Sequence, residues 1–192
     1  ASKDYFVFRT GVAVKDALDT DNPRIIDYAM KGRTDFLDIY LGAKCHFFIC
    51  DTAGMCQIPQ IFRRPTAWIN YIPLKLAPTW YSKDLFLPKK LWSTEDQRLF
   101  TFSEILNSDI GRFHMSKQYA QRGIEVVDNT PEEIYSLVLE MDQRLAGTWQ
   151  ATEEDEELQA RFWSLFPTLD PNQVFRSRIG AEFLLQNREM LN

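Results

Sequence analysis

Short apolar runs alternate with amphipathic stretches along this chain, and that alternation constrains its fold more than any other feature. The runs near Tyr5–Phe8, Arg24–Asp27, His46–Cys50, Thr66–Ile69, Leu85–Leu87 and Ile124–Val127 are too short for helices and read as strands. Between several of them lie segments with apolar residues at helical spacing. Strands joined by helical crossovers run parallel, which predicts an α/β fold: a Rossmann-like three-layer domain with a mainly parallel sheet. A chain of 192 residues with 45% hydrophobic content can bury such a core as one domain over 1–192.

The helices are marked by their ends. Thr130 is placed as an N-cap, Pro131 at the first helical position and Glu133 as the partner in a capping box. Ile134, Leu137, Val138, Met141 and Leu145 then recur at helical spacing until Gly147. A second helix over 152–166 opens at Thr152 on the acidic turn Glu153-Glu154-Asp155 and turns Leu158, Phe162, Leu165 and Phe166 inward. Thr34 caps a shorter helix from Asp35 to Ala43, with Phe36, Leu37, Tyr40 and Leu41 expected to face the core. Another starts within Asp51–Met55 and carries Ile58, Ile61 and Phe62, kept short by Pro59. A last helix over 178–191, carrying Ile179, Phe183, Leu184 and Met190, is expected to pack on the domain together with helix 152–166.

Charge and cysteine content narrow the function classes. A formal net charge of −5 argues against nucleic acid as a partner, since such a surface needs basic residues to displace counterions. Cys45, Cys50 and Cys56 are an odd number in a chain too large to depend on disulfides, which favours reduced thiols and a cytoplasmic setting. Cys45 and Cys50 should point to opposite faces of a strand, so they do not read as a zinc site with His46. Trp80, Tyr81, Trp92 and Phe86, in a proline-rich stretch, are candidates for an exposed aromatic patch.

In open α/β sheets ligands bind beyond the carboxyl ends of the strands. After the first strand stands Arg9-Thr10-Gly11, where a guanidinium adjoins a residue that lets backbone approach closely. After the third stands Asp51-Thr52-Ala53-Gly54-Met55, whose N–H groups and hydroxyl suit a phosphate. Asn70 follows the fourth strand, and Lys89 and Lys90 follow the fifth. Plainer roles are open to each: turn geometry for Gly11 and Gly54, an acidic partner for Arg9, a helix cap for Thr52 and solvation for a lysine. Neither GxxxxGK[ST] nor GxGxxG is present.

RTG (9–11), IIDYA (25–29), TDFLDIYLGAKCHFFI (34–49), TAG (52–54), IPQIFRRP (58–65), LPKKL (87–91), LFTFSEIL (99–106), DNTPEEI (128–134), EMDQRLAGTW (140–149) and RIGAEFLLQN (178–187) follow one another across nearly the whole chain. In combination they carry a resemblance to a bacterial glycosyltransferase family of surface-polysaccharide synthesis. It implies the C-terminal, donor-binding half of a GT-B enzyme, with the N-terminal acceptor domain missing from this stretch. The implied ligand is a nucleoside-diphosphate sugar, held by Arg9, Gly11, Thr52, Ala53, Gly54, Asn70 and Lys89. The implied acceptor is a glycan reached through the missing domain, with peripheral membrane association of the full-length enzyme. No cofactor is expected, and the transfer is expected to be metal-independent, with Arg9, Lys89 and the start of the helix after Asp51 offsetting the charge on the leaving nucleoside diphosphate. Asp35, Asp38 and Glu133 could contact ribose or base, although capping explains them equally well.

Two other readings are open. Asp51 after a buried strand and Lys89 after a later one suit a phosphorylated receiver domain, but the acidic pair that such a domain needs after its first strand is replaced by Arg9-Thr10. A non-catalytic nucleotide-binding module is the other.

Overall fold

In the computed structural model, which describes residues 4–77, 81–166 and 177–192, the apolar runs become strands in three small sheets. In chain order the elements are β1 (Val7–Phe8), β2 (Ile25–Ile26), α1 (Asp35–Lys44), β3 (Phe48–Asp51), α2 (Gln57–Ile61), β4 (Thr66–Tyr71), β5 (Leu85–Pro88) and β6 (Lys90–Ser93). They continue with β7 (Arg98–Leu99), α3 (Phe102–Asn107), α4 (Ser116–Ala120), β8 (Ile124–Val127), α5 (Pro131–Leu145), α6 (Glu153–Ser164), β9 (Arg178–Ile179) and α7 (Ala181–Gln186).

The four-stranded sheet, ordered β3-β4-β5-β9, is parallel throughout. All residues of β5 are buried, as expected of an inner parallel strand covered on both faces, whereas β3 at the edge exposes Ile49 and Asp51. The helix α5 packs against β4, β5 and α7, and α6 packs against α7. Phe86 of β5 enters an aromatic cluster with Phe102, Phe162 and Trp163, in which the Phe102 and Phe162 rings meet edge to face at 5.1 Å. The class is therefore mixed α/β with a parallel central sheet, compatible with a Rossmann-like arrangement.

The sheet is divided more than the alternation predicts. β1 and β2 form a separate parallel pair, and β8, expected in the parallel sheet, runs antiparallel to β6 with Lys90 opposite Val127. β6 and β7 form a hairpin whose polar sequence hid it. The expected helix over 178–191 is also broken. Arg178 and Gly180 donate their N–H groups to the carbonyls of Asp84 and Phe86, so this segment extends the sheet before α7 begins. Gly180 permits that junction: a Cβ there would lie 2.9 Å from Leu87 Cδ2 and 3.0 Å from Leu137 Cδ1.

The capped helices form as their sequences require. Thr130 Oγ1 accepts the Glu133 N–H at 3.2 Å while Glu133 Oε2 accepts the Thr130 N–H at 2.8 Å, and Thr152 and Asp155 repeat the device at α6. Gly147, at φ +71°, closes α5. The face of α1 differs from expectation, since Phe36 and Tyr40 are exposed and stack on each other while Asp38, Gly42 and Ala43 are buried. The reason is close packing against α2: a Cβ on Gly42 would come within 2.6 Å of Ile58 Cγ2. On α2, Ile61 and Phe62 are exposed rather than buried. Phe86 lies in the core, which removes it from the expected aromatic patch, and Trp80 lies outside the described residues.

The cysteines depart from expectation too. The chain doubles back through a 3₁₀ turn after β3, bringing Cys56 beside Cys50 with their Cα atoms 6.0 Å apart, and the two are bridged; Cys45 is free. No helix among the described residues is long and apolar enough to cross a membrane.

Candidate functional site

The carboxyl ends of β3, β4 and β5 bring three of the candidate positions to one sheet edge: the Thr52–Gly54 turn, Asn70 and Lys89. Thr52, Ala53 and Gly54 are exposed, and the Thr52 hydroxyl has no hydrogen-bond partner among the described residues. The turn leads into Gly54–Cys56 and then α2, neither of which receives a side-chain cap.

Asn70 stands inside β4, at φ +51°, where the register between β4 and β5 shifts. Asparagine tolerates this left-handed conformation better than most residues. Its N–H donates to Asn129 Oδ1 at 2.6 Å, and the Asn129 N–H donates back to Asn70 Oδ1 at 2.7 Å. Asn129 Nδ2 also donates to the Pro88 carbonyl at 2.9 Å. One buried side chain thus ties β4, the end of β5 and the start of α5 together across 59 residues of sequence.

The lysines complete the edge, and both are paired. Lys89 Nζ lies 2.6 Å from Asp128 Oδ1, and Lys90 Nζ lies 2.8 Å from Glu133 Oε1. The two pairs differ in exposure: the Asp128 side chain is 69% exposed and the Glu133 side chain 6%. Only the first can open to solvent without uncovering a buried charge.

Arg9 and Gly11 follow β1, which pairs with β2 and is not hydrogen-bonded into the four-stranded sheet. Arg9 Nε lies 3.3 Å from Asp27 Oδ1, and Nη2 donates to the Asp16 carbonyl at 2.6 Å. Asp27 Oδ2 in turn accepts the Leu18 N–H, so the guanidinium pins the β1–β2 loop to the end of β2. Gly11 has φ +141°, which a side chain rarely adopts. Asp38 accepts from Tyr28 Oη at 2.9 Å and Arg33 Nη2 at 2.6 Å, and Glu133 serves the α5 cap and Lys90; both are occupied within the fold. One sequence feature bears on the metal-independent expectation: Asp19-Thr20-Asp21, exposed in the β1–β2 loop, has the DxD spacing of metal-bridging carboxylates.

Asn129 and Asp128 are the edge residues that sequence reasoning missed. Their only local mark is the Asp-Asn-Thr-Pro entry into α5, which reads as a helix cap.

Elsewhere the buried acids are structural. Asp84, 1% exposed, accepts the Thr66 N–H at 2.9 Å and Trp68 Nε1–H at 3.4 Å, and burial pushes its carboxyl up to about 6. Glu140 accepts the Ala181 N–H at the start of α7 and pairs with Arg144, with burial again raising its pKa. No family model, no curated protein and no solved structure matches the chain significantly. The chain is a mixed α/β domain with a polar, hydrogen-bonded cluster at the carboxyl edge of its parallel sheet.

Proposed function

We propose that this domain holds a nucleoside diphosphate at the carboxyl edge of its four-stranded sheet, as the donor-binding half of a GT-B-like glycosyltransferase. The observation that carries the reading is the convergence of the Thr52–Gly54 turn, Asn70 and Lys89 at the ends of adjacent parallel strands, where open α/β sheets take their ligands. The resemblance along the chain supplies the reaction class.

On this reading the exposed N–H groups and hydroxyl of the turn take one phosphate, and Lys89 exchanges Asp128 for another. Departure of the nucleoside diphosphate builds negative charge as the glycosidic bond breaks, and Lys89 with the turn offsets it. Asn70 and Asn129 keep the strand ends in register. Arg9, which the resemblance places among the donor contacts, acts in this reading through the β1–β2 loop it anchors.

Titration calorimetry against UDP, GDP, CMP and ADP tests the proposal. Lys89→Ala should weaken the preferred nucleotide about ten- to a hundredfold, the worth of a hydrogen bond to a charged group. Asp128→Ala should tighten it by removing the competitor. Binding that is unchanged in both variants would discard the site. Repeating the titration with and without magnesium tests metal independence, with Asp19→Asn as the variant for any metal-dependent fraction.

A further inference from the structure

A cavity of ≈ 340 Å³ opens between β1 and β3, whose residues line it without pairing to each other. Its walls include Tyr5, Phe8, Leu41, Phe47, Phe48 and Val138. Tyr5 fixes one end: its ring stacks on His46 at 5.5 Å and meets Phe47 edge-on at 5.9 Å, while its hydroxyl donates to Asp142 at 2.7 Å. The volume falls within the range of small-molecule sites, about 300–1,000 Å³.

The charge of the lining runs against that of the molecule. The chain carries a formal −5, yet Lys44 lines this cavity and no aspartate or glutamate does. Lys44, exposed at the end of α1, has no ion-pair partner among the described residues. An apolar chamber with an uncompensated ammonium at its rim is complementary to a ligand with an apolar body and one negative head.

We propose that this cavity binds a small amphipathic carboxylate, acyl or aryl, with its apolar body among Phe8, Phe47, Phe48 and Val138 and its carboxylate at Lys44. The site is separate from the nucleotide reading, since none of Arg9, Gly11, Thr52, Ala53, Gly54, Asn70 and Lys89 lines the cavity. A second copy of the chain, covering the same faces, is the competing occupant.

The experiment displaces the fluorescent probe 8-anilinonaphthalene-1-sulfonate with octanoate or with 1-octanol, on the wild-type chain and on Lys44→Glu and Val138→Trp. Octanoate should displace the probe about two- to fivefold more effectively than 1-octanol, the advantage that an exposed charge pair supplies. Lys44→Glu should abolish the advantage and leave 1-octanol unaffected, and Val138→Trp should block both by filling the chamber. Ile49→Trp, at an exposed lining position, replaces Val138→Trp if circular dichroism shows that variant misfolded. Equal potency of octanoate and 1-octanol on the wild type, or undiminished octanoate binding to Lys44→Glu, overturns the proposal. So does sedimentation showing a dimer that the filling variant dissociates and octanoate does not.

Discussion

Asp84→Asn should change how the stability of this protein depends on pH. The carboxyl is 1% exposed, accepts two hydrogen bonds and pairs with no cation among the described residues, and burial moves its pKa from 3.8 to about 6. A folded-state value above the unfolded one means that the native protein binds the proton more tightly. Stability therefore falls as pH rises from about 4 to about 6 and is flat above. The full loss is about 3 kcal/mol, of which about 2 kcal/mol falls between about pH 4 and about pH 7.5. Asparagine keeps an acceptor for the Thr66 N–H but turns its amide towards the Trp68 N–H, a cost of about 1–3 kcal/mol at every pH. The test is urea unfolding of both proteins across that range. The difference between them should shift by about 2 kcal/mol in favour of the variant on going to neutral pH, while other carboxyls cancel because both proteins contain them. A difference that stayed constant with pH would refute a buried, unpaired Asp84.

Three further outcomes follow from named contacts. Asn129→Ala should cost about 2–5 kcal/mol in urea unfolding, because it strands the Asn70 N–H and the Pro88 carbonyl, whereas Asn70→Gly should cost less than Asn70→Ala since glycine accepts φ +51°. Glu104, held at about 2 by Arg98 and by its place in the Thr101 cap, should give up about 1 kcal/mol on Glu104→Gln after discounting for exposure. That contribution should fade as pH drops from about 4.5 towards about 2, and the Arg98 part should weaken in high salt. Reducing the Cys50–Cys56 bridge should lower the free energy of unfolding by about 2 kcal/mol, the chain-entropy value for so short a loop, as read from denaturation with and without a thiol reductant.

Helix starts were legible in the sequence because capping is local. Thr34, Thr130 and Thr152 each bond an N–H three residues on, and nothing distant competes. The positions of β1 to β5 and of β8 were legible for a similar reason, but β6, β7 and β9 and the strand partners were not. Arg178-Ile179 fits the spacing of the helix that follows it, and its assignment to the sheet depends on carbonyls of Asp84 and Phe86 far away in sequence. The same limit governed the site: Arg9 and Thr52 each follow an apolar run, but whether those runs share a sheet is a tertiary fact, and they do not. Asn129 illustrates the limit from the other side, since its partners lie 59 and 41 residues away and its local context suggests only a cap.

The pairing at the carboxyl edge restricts what a diphosphate could use there. Lys90 is committed, because Glu133 is buried and also accepts the Thr130 N–H, so releasing the lysine would strand a carboxylate inside the α5 cap. Arg9 is committed to the β1–β2 loop. Lys89 alone has a partner that water can solvate in its place, with the Asp128 side chain 69% exposed. A site with, among the described residues, one exchangeable ammonium and no free guanidinium recognises charge more than phosphate geometry. On the proposed reading, then, diphosphate binding should weaken with salt and discriminate poorly between a nucleoside diphosphate and pyrophosphate unless the base finds its own contacts. Placing a fork at the same position with Lys89→Arg should raise affinity for both by a similar factor, and a gain confined to the nucleotide would show that the base, rather than the phosphates, sets the orientation.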